Sequence, residues 1–98
     1  MERAEIEVTG LTWDEANEAK VEAHGISAQD VEDVLANQPR FFRNLPDRSA
    51  EYVMLGPDSE DRFVFAPIVP TQTVGVWYPV TAYRLDRRRA ARIYERGG

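Results

Sequence analysis

The stretch LTWDEANEAKVEAHGISAQDVEDVL, residues 11–35, decides the fold because it predicts two helices in immediate succession. Asp14 is a residue type that caps helix N-termini, and the helix that it begins should run to about Ala23 or His24. Gly25 follows at the position where a left-handed residue commonly ends a helix. The stretch therefore predicts a first helix and a sharp turn into the next one.

Ser27 predicts the start of the second helix, because Asp30 stands three residues later in the spacing of a weak capping box. This helix should reach about Asn37, and Pro39 prevents it from continuing. Its buried face is predicted to consist of Val31, Val34 and Leu35.

The rest of the chain is predicted to form strands. Residues 5–8 alternate polar and apolar side chains before a Thr-Gly turn, which predicts a short first strand. Pro67 and Pro70 should lie at an edge, a bulge or a strand end, and Pro79 should disturb the last strand. Alternating β-branched and aromatic residues predict an antiparallel meander of Phe41–Arg43, Glu51–Leu55, Arg62–Ala66 and Thr73–Tyr78, the last extending to Tyr83.

Asp86 is predicted to cap a final helix that reaches about Glu95. Its inward face should consist of Ala90, Ile93 and Tyr94. Residues 1–98 then form one α+β domain with two N-terminal helices, an antiparallel sheet of about four to five strands and a C-terminal helix. A chain of 98 residues is long enough for one modest core and too short for two.

Composition narrows the class of protein. The chain is 43% apolar and 30% charged, which is typical of a globular domain and too apolar for a disordered one. It has no cysteine and one histidine, which excludes disulfides and conventional zinc sites, although carboxylates could still hold Mg²⁺. We expect no metal and no cofactor. No apolar run approaches the roughly 18 residues of a membrane span, so we expect a cytoplasmic protein without membrane contact.

The net charge of −5 is distributed unevenly along the chain. Residues 1–38 carry −8, residues 39–83 carry −1, and residues 84–98 carry +4. Such a distribution is unlike a general nucleic-acid coat, but it allows one local patch that faces phosphate.

One face of the first helix carries a stripe of polar side chains beside a tryptophan. Helical spacing places four residues in this stripe: Trp13, Asn17, Lys20 and His24. The stripe lies between apolar flanks and opposite a glutamate face, so we expect it to point toward the domain or into a cleft. Its polar groups could simply cap carbonyls and bond turns. Alternatively, a histidine and a cation one turn apart are suited to proton transfer or phosphate binding.

The C-terminal helix is rich in arginine. Arg88 and Arg92 lie on its predicted outer side, Arg87 flanks the apolar face, and Arg84 lies just before the helix. These arginines could be solvated and interact with the helix dipole. They could also donate in pairs to phosphate or to acidic residues of a partner.

Residues 11–17, Lys20, residues 24–27 and residues 30–35 resemble the N-terminal half of BrnT-type toxins. They also resemble related uncharacterised small bacterial proteins that share a Trp-Asp…Asn…His-Gly-Val/Ile motif. The resemblance continues through the predicted sheet to Arg84 and the arginine-rich helix, and covers most of residues 11–95. The Trp-Asp to His-Gly segment is its specific part.

This resemblance implies a RelE-like α+β fold and the toxin of a type II toxin–antitoxin system, a metal-independent endoribonuclease silenced by a cognate antitoxin protein. In such chemistry the RNA 2′-hydroxyl attacks the adjacent phosphate, so a base, an acid and cations are needed. The matching residues are His24 as base or acid, Lys20 and Arg84 as cations, and Tyr83 as acid or positioning group. RNA contacts are expected from Arg87, Arg88 and Arg92.

A hypothesis of a different class is a non-catalytic protein-interaction module, with a homodimer as one of its forms. It follows from the acidic N-terminal half, which should repel nucleic acid over a Debye length of about 10 Å.

Overall fold

The computed structural model describes residues 1–96. These residues form a mixed sheet with helices on both faces. The α+β class, with two N-terminal helices and one C-terminal helix, is therefore as predicted. Residues 97 and 98 of the predicted domain lie outside the described residues. In chain order the elements are β1 (Gly10–Leu11), α1 (Glu15–Ala23), α2 (Ala28–Ala36), β2 (Arg40–Arg43), β3 (Tyr52–Pro57), β4 (Phe63–Pro70), β5 (Val76–Pro79), β6 (Tyr83–Arg84) and α3 (Arg87–Arg96).

The strand order is β1-β5-β4-β3-β2, and β6 also pairs with β4. Strands β2 to β5 are antiparallel neighbours in sequence order, which confirms the predicted meander. Strand β1 pairs with β5 in parallel, so the sheet is mixed.

The two faces of the sheet carry separate apolar clusters. Met54 packs with Val21, Ile26 and Val34, so α1 and α2 cover one face. The next residue along β3, Leu55, packs with Ala90 of α3 on the other face, because successive side chains of a strand point to opposite sides. The sheet is therefore enclosed between the helical pair and α3.

Both later helices begin at the predicted caps. Ser27 and Asp30 form the reciprocal capping box of α2. The carboxylate of Asp86 accepts a hydrogen bond from the backbone N–H of Arg89, in the first turn of α3. Local sequence signals thus placed the helix starts correctly.

The predicted strand at residues 5–8 is wrong. This segment is held by side chains instead of a ladder: Ile6 and Val8 pack against the core, and the indole N–H of Trp77 donates to the carbonyl of Glu7 over 2.8 Å. The short ladder forms two residues later, where β1 pairs with β5. The turn before β5 places Gly75 at a φ of 88°, and its carbonyl accepts from the backbone N–H of Thr9.

Proline positions largely follow the prediction. Pro67 lies inside β4, where the strand changes its partner on one side. It is tolerated because β4 changes partner there: Phe65 pairs with β6, whereas Ile68 pairs with β5. Pro70 ends β4 as expected. Pro79 ends β5, so the predicted continuous strand to Tyr83 is wrong and residues 80–82 separate β5 from β6.

No helix within residues 1–96 has the length and apolar character required to cross a lipid bilayer.

Candidate functional site

The first turn of α1 is held to the sheet by Asn17, which is 1% exposed. Its side-chain amide donates to the carbonyls of Thr12, at 3.1 Å, and Pro79, at 2.9 Å. Its amide oxygen accepts from the backbone N–H of Asp14, while the Asp14 carboxylate accepts from the Asn17 backbone N–H. Asn17 thus closes the capping box and joins α1 to the end of β5, which is a structural role.

The other residues at the start of α1 are also engaged. The Tyr78 hydroxyl donates to the Asp14 carboxylate at 3.0 Å, and the Trp13 indole N–H donates to Glu32 of α2 at 2.8 Å. The pKa of Asp14 lies below its ordinary value, chiefly because the backbone N–H of Asn17 donates to it. The pKa of Tyr78 is raised by burial and by its bond to Asp14. The Trp-Asp…Asn part of the motif is therefore explained by the fold.

The His-Gly-Ile part of the motif ends α1. Gly25 has a φ of 75°, a backbone conformation that favours glycine. Its N–H donates to the carbonyl of Glu22, and the N–H of Ile26 donates to that of Val21, as in a Schellman motif. Ile26 and Val21 pack in the same cluster. The geometry explains Gly25 and Ile26, but it gives no such role to the imidazole of His24.

Asn17 is buried and Trp13 packs against the core, as predicted for the stripe, whereas Lys20 and His24 are exposed. The imidazole nevertheless has neighbours on the sheet. Its Nδ1 lies 3.4 Å from the Thr81 hydroxyl, and its ring meets the Tyr83 ring edge-on with centroids 5.4 Å apart. His24 and Tyr83, both predicted site residues, are therefore in contact.

A cleft with two arms surrounds Tyr83, and we call it the Tyr83 cleft. Both arms are lined by Tyr83, Asn44 and Arg48. The α1 arm, of about 210 Å³, extends to Lys20 and Thr81. The α3 arm has a volume of about 450 Å³, and its further lining includes Met1, Leu45, Phe65 and Arg89. Lys20 thus lies at the cleft as expected, with His24 beside it through Thr81 and Tyr83.

The cleft is cationic although the chain is acidic. Within residues 1–96, three cationic side chains line its arms, those of Lys20, Arg48 and Arg89. No carboxylate among these residues lines either arm. Arg48 lies 3.8 Å from Asp47, but both side chains are more than half exposed, so this ion pair is weak. Such a cleft is suited to phosphate or another anion.

Arg84 lies next to Tyr83 in β6 but faces the opposite side of the sheet. Its guanidinium donates to the buried carboxylate of Asp58 at 2.9 Å and lies 3.6 Å from Asp30. Burial disfavours the charged form of Asp58, but the backbone N–H groups of Arg62 and Glu60, together with Arg84, hold its pKa below the ordinary value. Arg84 is therefore occupied by carboxylates, and the geometry favours a structural role for it.

The three arginines predicted to contact RNA differ in their surroundings. Arg87 donates to the carboxylate of Asp61 at 2.8 Å and to the Asp61 carbonyl at 3.0 Å. Arg88 and Arg92 are exposed, and no ion pair to either is present within the described part of the chain. Arg88 and Arg92 are the two that stay available to a ligand.

Two cationic residues of the cleft, Arg48 and Arg89, were not among the predicted site residues. Arg89 flanks the apolar face of α3, and the helical period alone gave no reason to choose it over Arg88. Arg48 lies in the β2–β3 loop, and only the pairing of β4 with β6 brings that loop beside Tyr83. A sequence pattern carries no signal for such a long-range approach.

No group of three His, Cys, Asp or Glu side chains that could hold a metal ion occurs within residues 1–96. Searches against protein-family models, curated proteins and solved structures return no match for this chain, so its function is inferred from its own residues.

Proposed function

We propose that this chain is a BrnT-like toxin, or a domain derived from one, that binds RNA in the Tyr83 cleft and cleaves it without a metal ion. The observation that carries the proposal is the convergence of Lys20, His24 and Tyr83 on a cationic cleft in an acidic protein. The other residues of the motif that suggests the family have structural roles in the fold. Lys20 and His24 are the two motif residues for which the contacts give no comparable structural role.

The geometry supports different roles for the rings of His24 and Tyr83. Thr81 lies against Nδ1 of His24, which leaves Nε2 for proton transfer with a ligand. In the proposed reaction, Nε2 takes the proton of the RNA 2′-hydroxyl as that oxygen bonds to phosphorus. The bond from phosphorus to the 5′-oxygen breaks, and the Tyr83 hydroxyl protonates the leaving oxygen. The products are a 2′,3′-cyclic phosphate and a 5′-hydroxyl.

Cations are needed where negative charge accumulates on the phosphorus centre. Lys20 and Arg48 both line the α1 arm of the cleft and are suited to this role. Arg84 was expected to share it, but its guanidinium faces Asp58 and Asp30. We therefore assign the second cation of the proposed site to Arg48. A cognate antitoxin in the same cytoplasm would be the regulatory partner.

The test is incubation of the purified protein with end-labelled single-stranded RNA in excess chelator. We expect fragments ending in a 2′,3′-cyclic phosphate, and at least a hundredfold slower cleavage by Lys20→Ala or Tyr83→Phe, a loss typical of removed catalytic groups. Arg3→Ala, which removes a cation that lies outside both arms, is the matched control and should cleave normally. Intact RNA at high protein concentration would refute the proposed activity.

A second candidate function is a non-catalytic interaction module, alone or as a homodimer. The observation that favours it is the exposed glutamate face of α1, formed by Glu15, Glu18 and Glu22, which suits a basic protein surface. Under this hypothesis, reversing the charge of this face would abolish binding of a partner protein from cells, and neither the wild type nor the variant would cleave RNA. Growth arrest on expression, relieved by His24→Ala in a folded protein, favours the toxin instead.

A further inference from the structure

Exposed apolar side chains collect in the α3 arm of the Tyr83 cleft. Among residues 1–96, the large apolar side chains classed as exposed are Met1 (37%), Leu45 (52%), Tyr83 (36%) and Val74 (89%). The first three line the α3 arm, whereas Val74 lies in the turn before β5. Exposed apolar side chains that cluster in a concavity commonly mark a binding site, whereas single scattered ones are normal on a protein surface.

The ring of Tyr83, which lines this arm, is held on two sides. Tyr83 stacks on Phe65 with centroids 5.5 Å apart and an angle of 14° between the planes. Its contact with His24 is edge-on, at 90°. A ring that is fixed before a ligand arrives loses little conformational entropy on binding, so it can serve as a stacking surface.

Positive charge lies beside the apolar surface. Arg48, whose side chain is 59% exposed, and Arg89 both line the arm, and no carboxylate among the described residues lines it. An aromatic ring beside exposed cations matches a planar, uncharged group attached to an anionic backbone. This combination is typical of single-stranded nucleic acid sites.

We infer that the α3 arm binds one unpaired nucleobase of single-stranded RNA, with the base against Leu45 and Tyr83 and the flanking phosphates on Arg48 and Arg89. The inference rests on the proposed function and adds the place where one base of the RNA is held. The volume of about 450 Å³ is that of a small-ligand pocket. A folded protein partner would need a contact of about 800 Å² on each side, which favours the base over such a partner. A paired base stays in its stack and could not enter.

The experiment uses a 2′-O-methyl RNA strand, which binds but cannot be cleaved because its nucleophile is blocked. The strand carries 2-aminopurine, whose fluorescence falls when the base stacks on an aromatic ring. We expect quenching on titration with the protein, and about tenfold weaker binding of a strand whose bases are replaced by abasic sites. Leu45→Ala should weaken binding of the base-bearing strand several-fold and leave the abasic strand unaffected.

Val74→Ala is the matched control, because it shortens another exposed aliphatic side chain, one that lies outside the arm. Circular dichroism of both variants verifies their folding. Equal binding of the base-bearing and abasic strands, with cleavage of ordinary RNA retained, would overturn the base site and leave the proposed function standing. If no RNA strand binds, both proposals fail. If an acidic amphipathic peptide binds in a Leu45-dependent manner while RNA does not, the arm is a protein-docking surface.

Discussion

The two ends of α1 present polar residues on the same helical stripe but in opposite states. At the first turn, Asn17 is buried and bonds to the carbonyls of Thr12 and Pro79. At the last turn, Lys20 and His24 are exposed, and the imidazole lies beside Thr81 and the ring of Tyr83. The difference arises because β5 ends at Pro79, so that strand backbone lies beside the first turn and an open cleft beside the last.

This contrast distinguishes the motif residues that stabilise the fold from those that remain available for catalysis. Asp14 and Asn17 cap the helix, and Gly25 with Ile26 ends it. Polar groups with a complete set of partners hold a structure together, whereas those with few partners are available to a ligand. Substitutions at Asn17 and His24 test whether the two ends of α1 differ in this way, and substitutions at Asp58 and Arg48 extend the comparison to the rest of the molecule.

The largest effect is expected at the buried end. Asn17→Leu would leave the carbonyls of Thr12 and Pro79 and the N–H of Asp14 without their partner. Unsatisfied buried groups of this kind destabilise a fold by about 3 kcal/mol in sum. Urea denaturation of the wild type and the variant measures the difference. A loss below about 1 kcal/mol would show that Asn17 does not join α1 to the sheet.

A second loss is expected at Asp58, whose buried carboxylate lies between β3 and β4 and pairs with Arg84. Asp58→Asn should cost about 2 kcal/mol, less than for a fully buried ion pair because the Arg84 side chain is 26% exposed. The folded-state pKa of Asp58 lies below its unfolded value of 3.8, so ionised Asp58 stabilises the fold above about pH 4. That stabilisation is lost as pH falls through the folded-state pKa.

The measurement is urea denaturation of the wild type and Asp58→Asn from neutral pH down to acid. The difference in unfolding free energy between them should shrink as the solution is acidified. A difference that stays constant with pH would contradict an ionised, stabilising Asp58.

A smaller effect, on RNA affinity, is expected for a cation in the cleft and not for one elsewhere on the surface. Arg48→Ala should weaken RNA binding and reduce the slope of log affinity against log salt by about 0.7, the value for one phosphate contact with a single strand. Arg3→Ala should leave the slope unchanged, because Arg3 lies outside the cleft. Fluorescence titrations at several salt concentrations measure both. Equal slopes for the two variants would remove Arg48 from the RNA site.

The smallest effect on stability is expected at His24. Its imidazole is exposed and its closest polar contact is at the limit of hydrogen-bond length. His24→Ala should therefore change the unfolding free energy by less than about 0.5 kcal/mol, as is usual for surface positions. Urea denaturation determines this value, and a loss above about 1.5 kcal/mol would assign His24 to the fold instead.

Local signals predicted the helices well but the site only in part. The caps at Asp14, Ser27 and Asp86 depend on residues three positions apart, so the sequence contains the whole interaction. The direction of Lys20 and His24 could not be predicted, because it depends on where β5 stops. Arg48 was missed since it reaches the cleft through the β2–β3 loop. Arg84 was predicted as a free cation because Asp58 lies 26 residues away in the chain.

The most direct test of the account is the rate of RNA cleavage in excess chelator by wild type and His24→Ala, under conditions where urea denaturation shows both to be folded. The account predicts that the variant keeps its stability and loses at least a hundredfold in rate. Equal rates for the two proteins, or intact RNA with both, would contradict the claim that the last turn of α1 is a catalytic site.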